Sequence, residues 1–137
     1  MQIQPILDAY KSSVFSKDVA AFVSLCHQDV HIFDMWDQWS YRGIDAWRDM
    51  VTEWFGSLGT EKVVVDFDEV ETVEAPGMVA VHALVAYKAI SAEGKELRCM
   101  VNRLTWVLKQ EGGAWKIVHA HTSAPIDGST TKAIFRR

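Results

Sequence analysis

Near the end of the chain, His119-Ala120-His121-Thr122-Ser123-Ala124-Pro125 follows Trp115-Lys116-Ile117-Val118. Period-two alternation aims Trp115, Ile117, His119, His121 and Ser123 at one face of a last strand. Two imidazoles at i and i+2 can ligate a metal, hold an anion, pass protons or sit hydrogen-bonded in a core. A metal needs a further carboxylate or histidine, for which only His31 and Asp34 are candidates, and no metal site is expected. Asp34 ends an apolar stretch, Val30-His31-Ile32-Phe33, just before a loop carrying Trp36, Trp39 and Tyr41. Among aromatic walls its carboxyl is raised in pKa by desolvation and can act as a general base; paired with Arg103 or Arg42 it is lowered and inert. Arg103 lies between apolar neighbours, and a buried guanidinium without a partner costs several kcal/mol. It therefore calls for Asp34 or for a ligand carboxylate held by two parallel hydrogen bonds. Trp36 and Trp39 are pocket-wall candidates because they fall in a loop.

These residues need elements to hold them. Ile3, Ile6, Leu7, Tyr10 and Val14 recur at helical spacing, predicting a helix over about residues 2–16 that turns Tyr10 inward, where it fills core with its hydroxyl satisfied. Ser16 is a candidate N-cap for a second helix with Val19, Phe22, Val23 and Cys26 on its buried face, ending near His27. A short strand over residues 30–34 and the aromatic loop to Arg42 follow. Gly43 opens a third helix striped by Trp47, Met50, Val51, Trp54 and Leu58. From Lys62 the period becomes two, and turn signals at 74–77, 91–94 and 111–113 cut the remainder into four long antiparallel strands. The apolar phase shifts between Val63, Val65 and Phe67 on one side and Val70 on the other, predicting a bulge near Asp68 that curls the sheet. With a three-residue loop at 111–113, Thr105 pairs with His119 and Arg103 with His121, so all four line one surface. The segment after Pro125, residues 126–137, carries no clear period and reads as a loosely held end.

The chain has 137 residues, 49% hydrophobic and 23% charged, which is enough to bury one core in one domain, residues 1–125. Its formal net charge of -4 and the lack of any basic run argue against a nucleic-acid partner. Cys26 and Cys99 show no metal-ligand spacing and fit reduced core thiols, hence a cytoplasmic protein. No signal, lipidation motif or membrane-spanning run appears, so no membrane partner is expected.

Three helices, a short strand and four long curling strands ending in H-x-H-x-S-x-P resemble the nuclear transport factor 2-like superfamily. Arg103-Leu104-Thr105 followed by W-K-I-V-H-A-H-T-S-A-P is most similar to the SnoaL-like polyketide cyclase relatives and to the association domain of calcium/calmodulin-dependent protein kinase II. The resemblance runs from Ile3 to Pro125. It implies an α+β cone, three N-terminal helices packed on a curved antiparallel sheet, with a pocket at the open end and dimers made through the sheet. Laid without gaps on ketosteroid isomerase, another member, the chain places Tyr10 at the oxyanion tyrosine and Asp34 at the base aspartate. The second oxyanion donor, a protonated aspartate on the penultimate strand, falls near Thr105, where this chain has no carboxyl group. The open end is instead expected to be lined by Arg103, His119 and His121.

Two functions follow from this reading. One is an enzyme without cofactor acting beside a carbonyl as an isomerase, cyclase or lyase. In it, Asp34, Tyr10 and His121 carry the chemistry, and Arg103, His119, Thr105, Trp36, Trp39 and Ser123 hold a small organic ligand, anionic or carbonyl-bearing. The other is a ligand-binding and oligomerisation module like the kinase association domain. Either is expected to form a homodimer or larger homo-oligomer by burying Val79, Val81, Val85, Val118 and Ala120 against a second copy.

Overall fold

A computed structural model describes residues 1–137. Helix α1 spans Gln4–Ser16 with a proline in its first turn, where no backbone N–H is needed, and buries Leu7, Tyr10, Ser13 and Val14. It stops at Lys17, which takes the left-handed conformation at φ 56°. Ser16 is thus the last residue of α1, its hydroxyl bonded to the Ser12 carbonyl, and does not cap the second helix. Asp18 does, accepting from the Ala21 amide at 3.0 Å. Helix α2 is a single short piece, Val19–Val23, and ends before His27 because Cys26 already pairs with Ile117 in the sheet. Strand β1 accordingly starts early, covering Cys26–Phe33. Within the aromatic loop, Tyr41–Arg42 form a two-residue strand β2 against Ile32 and His31. Gly43, at φ 85°, turns the chain into α3, Ile44–Ser57, which buries Trp47, Val51 and Phe55.

Four long strands follow: β3 (Lys62–Ala75), β4 (Met78–Ile90), β5 (Glu96–Glu111) and β6 (Ala114–Ser123). They form an α+β fold with one curved sheet in the order β2-β1-β6-β5-β4-β3, antiparallel except where β1 runs parallel to β6. The helices cover its inner face, and the core joins Val14, Phe22 and Val51 to Val65, Val81 and Trp106. The bulge expected near Asp68 is present: the β3–β4 register shifts between Asp68 and Glu71, with Glu69 at φ 52°.

A second bulge lies in β6 and rearranges the site. The last hairpin turns on two residues, Gly112 and Gly113, both at positive φ, with Glu111 paired to Ala114. This is the glycine-rich geometry that matches strand twist in a tight hairpin. Further along, Leu108 pairs with Ile117 but Val107 pairs with His119, so Val118 is an extra residue. One inserted residue inverts the alternation. Ile117 faces the core, and beyond the bulge Ala120 and Thr122 face inward while His119, His121 and Ser123 turn outward. Thr105 therefore pairs with His121 and Arg103 with Ser123. Arg103, Thr105, His119 and His121 do share a face, as expected, but it is the outer one.

Two further expectations are corrected. Val79, Val81 and Val85 are at most 1% exposed within the single chain and Ala120 belongs to the same core, so they are not available to a second copy. The outer face of β4 carries Ala80, His82, Leu84 and Ala86. The C-terminal segment is not a loose end. Ile126 bridges Ala133, the Ile134 amide donates to the Pro125 carbonyl at 2.8 Å, and Val101 N–H donates to the Phe135 carbonyl at 2.8 Å. Arg137 then reaches Asp68 and Glu69, each at 3.1 Å.

Candidate functional site

Between the helices and the inner face of the sheet lies a cavity of about 950 Å³, with 21 of its 29 lining residues hydrophobic. That size and wall suit a small, largely apolar organic molecule. Its few polar side chains therefore carry most of the orienting power.

Asp34 follows directly on β1 and lines the cavity. Its Oδ1 accepts from the Thr122 hydroxyl at 3.1 Å, and the same Thr122 oxygen accepts from the Met35 amide at 3.1 Å. Thr122 is available only because the β6 bulge turns it inward. Burial raises the Asp34 pKa from its ordinary value, against the opposing pull of hydrogen bonds from Thr122 and the Trp36 and Met35 amides. No lysine or arginine forms a salt bridge with it.

Tyr10 comes from α1 and Tyr87 from β4, and their hydroxyl oxygens are 2.8 Å apart. Tyr10 is packed among Phe22, Phe67 and Trp106, with ring centroids 4.9, 5.5 and 5.6 Å away. Burial holds the Tyr10 phenol well above its ordinary pKa and pushes Tyr87 up to about 12, and the Asp34 charge acts in the same direction on both. Both are hydroxyl donors at neutral pH. One of their two protons is taken up between the oxygens, which leaves the other for a ligand. Asn102, inward on β5, lies beside Tyr87 and donates its amide to the Met35 sulfur at 3.5 Å.

The other sequence candidates divide clearly. Trp36 lines the cavity and stacks on Phe135 from the C-terminal segment, centroids 5.4 Å apart, so the tail supplies part of the wall. Trp39 is 97% exposed and outside the cavity. Arg103, Thr105, His119, His121 and Ser123 do not line it either. The Arg103 Nε donates to Ser123 Oγ at 3.0 Å on the outer face, and Arg103, with a strand position open to water, needs no buried anion. Beside the histidines on that face sits Phe33, 5.1 Å from His119 and 5.5 Å from His121 between centroids, and the His119 Nδ1 meets the His31 carbonyl at 2.7 Å. Cys26 does line the cavity, but burial pushes its thiol up to about 12, which keeps it protonated and a poor nucleophile.

Tyr87, Asn102 and Thr122 were missed. For Asn102 the signal was present: Leu104, Trp106 and Leu108 set an inward phase on β5 that also sends Asn102 inward and Arg103 outward. Thr122 had no such signal, because its direction depends on the bulge.

The SnoaL-like domain model matches residues 3–127. Among solved structures, an NTF2-like protein of unknown function from Pseudomonas putida KT2440 is 23% identical with a TM-score of 0.84, covering 97% of this chain and 91% of that one. Aln2 from a Streptomyces species is 14% identical with a TM-score of 0.78, covering 88% and 86%. A putative calcium/calmodulin dependent protein kinase II association domain from Xanthomonas campestris is 14% identical with a TM-score of 0.70, covering 90% and 85%. No curated protein matches the chain.

Proposed function

The chain belongs to the SnoaL-like domain family, and we propose on that footing that its cavity is the active site of a cofactor-free enzyme moving a proton beside a carbonyl group. The observation that carries this reading is Asp34: a carboxylate in a mostly apolar cavity, held by Thr122 and backbone amides and in no salt bridge, the arginine on the same lining, Arg98, being paired with Glu61 at 2.7 Å. A base of that kind is stronger than an ion-paired one and nearer in pKa to its working pH. The Tyr10 and Tyr87 pair supplies the complementary group, a phenol donor in a low-dielectric wall.

In the proposed step, Asp34 takes a proton from the carbon next to the substrate carbonyl. The C–H electron pair becomes the enolate double bond, and the carbonyl π electrons move to oxygen, where the tyrosine hydroxyl donates a hydrogen bond. Where the substrate carries a β,γ double bond, the enolate is a dienolate, and return of the proton to the γ-carbon moves that double bond into conjugation and gives an isomerase. Attack of the enolate carbon on a second carbonyl of the same molecule gives a cyclase, with Asp34 returning its proton to the new alkoxide. Neither course consumes an oxidant or a cofactor.

Deuterium uptake at the α-carbon of ring ketones in heavy water, followed by mass spectrometry, tests the reading. Wild-type protein is expected to accelerate uptake, and Asp34→Asn to abolish the acceleration while still binding the ketone. Binding without accelerated uptake in wild type would overturn the enzyme and leave a ligand-binding module.

A further inference from the structure

Asn102 is 5% exposed, on the cavity side of β5, and its Oδ1 has no hydrogen-bond partner. The amide nitrogen is committed: it donates to the Met35 sulfur at 3.5 Å and lies beside the Tyr87 hydroxyl. A thioether accepts but cannot donate, so it favours the nitrogen on its side and leaves the oxygen as the orphan. Buried polar atoms are paired in the great majority of proteins, and an unpaired acceptor carries its full desolvation penalty. Met100, Leu104 and Trp106, its inward neighbours on β5, line an apolar wall.

We propose that Asn102 Oδ1 is the specificity acceptor of this cavity, and that the ligand is a hydroxylated ring compound whose O–H donates to it while its carbonyl faces the tyrosine pair. The inference rests on the proposed reading of the cavity as a carbonyl site, and it adds the substrate's second functional group. Oδ1 is sealed from the cavity as it stands, and the soft terminal torsion of asparagine lets it turn to a donor lying against β5 in exchange for the weak contact of the amide nitrogen with the Met35 sulfur. Asn102 and Tyr87 are adjacent in the wall, so the ligand's hydroxyl and carbonyl are held by neighbouring groups. An analogue lacking the hydroxyl leaves the acceptor unpaired and forgoes the gain.

The test compares α-tetralone with its ring-hydroxylated positional isomers, by calorimetric affinity and by α-deuterium uptake, on wild-type protein and on Asn102→Leu. At least one isomer is expected to bind wild type roughly ten- to a hundredfold more tightly than the parent ketone, and Asn102→Leu to shrink that ratio to within about twofold. Equal affinity of parent and all isomers for wild type would overturn the inference without any variant having to fold, as would a preference surviving in a folded Asn102→Leu. The two readings fail separately. Hydroxyl preference without deuterium uptake supports the acceptor and removes the enzyme; uptake without preference removes the acceptor and keeps the enzyme.

Discussion

The Tyr10 and Tyr87 hydroxyls meet at 2.8 Å, tying the first helix to the fourth strand inside the cavity. The pair anchors α1, and its single shared bond uses only one of the two phenol protons. Tyr10→Phe and Tyr87→Phe should each cost about 1 kcal/mol of stability in chemical denaturation, and the double variant less than the sum, because they share one bond. If either hydroxyl donates to developing enolate charge, its loss should slow α-deuterium uptake by roughly a hundredfold or more. Parallel stability losses with unchanged uptake would reduce the pair to a fastener.

The phenols give a separate optical check. With Tyr87 at about 12 and Tyr10 also well above its ordinary value, the tyrosinate absorbance of the folded protein should rise late in an alkaline titration. Tyr87→Phe should remove a late component. A wild-type titration completed around the ordinary phenol pKa would contradict the burial of the pair.

Asp34 predicts a pH dependence of stability. Its folded pKa is raised by burial, so this group favours folding when protonated, and its contribution is lost as pH rises through the folded pKa. Asp34→Asn removes the buried charge and should raise the melting temperature at neutral pH. That gain should disappear below the ordinary carboxylate range, where wild type is protonated in both states. A variant destabilised at neutral pH would mean that the Thr122 and amide bonds outweigh desolvation.

The outer face should be silent in ligand binding. Arg103→Ala and His121→Ala act on exposed side chains across the sheet from the cavity, so calorimetric affinity for ring ketones should stay within about twofold. A tenfold loss in either variant would show that the cavity is not the ligand site.

Phe135 closes one side of the rim against Trp36, while its carbonyl accepts from Val101. Phe135→Ala should loosen the C-terminal segment and raise hydrogen exchange at the Val101 amide by an order of magnitude or more. Ketone dissociation should also speed up. Unchanged exchange at Val101 would show that the segment is held by Arg137 and its acidic partners alone.

The sequence by itself determined the α+β plan, because that plan is written in periods. The α1 stripe with Tyr10 inward, the α3 stripe, the four long strands and the Asp68 bulge all follow from where apolar residues recur. It also brought Tyr10, Asp34 and Trp36 to one cavity. Tertiary structure alone decided which way the last strand faces. Ile117 and Val118 are adjacent apolar residues of opposite phase, and Ala120 continues the phase of Val118, so either phase of β6 looks acceptable locally, and only pairing with β1 and β5 selects the bulge. That one extra residue removed His119 and His121 from the site and put Thr122 on Asp34. The tail is the same case. Phe135 and Arg137 carry no periodic signal, and their places depend on a free edge at Val101 and on acidic residues 68 positions or more away in sequence. Periodicity reports which face of an element is buried; register and long-range docking are set by partners the local sequence does not contain.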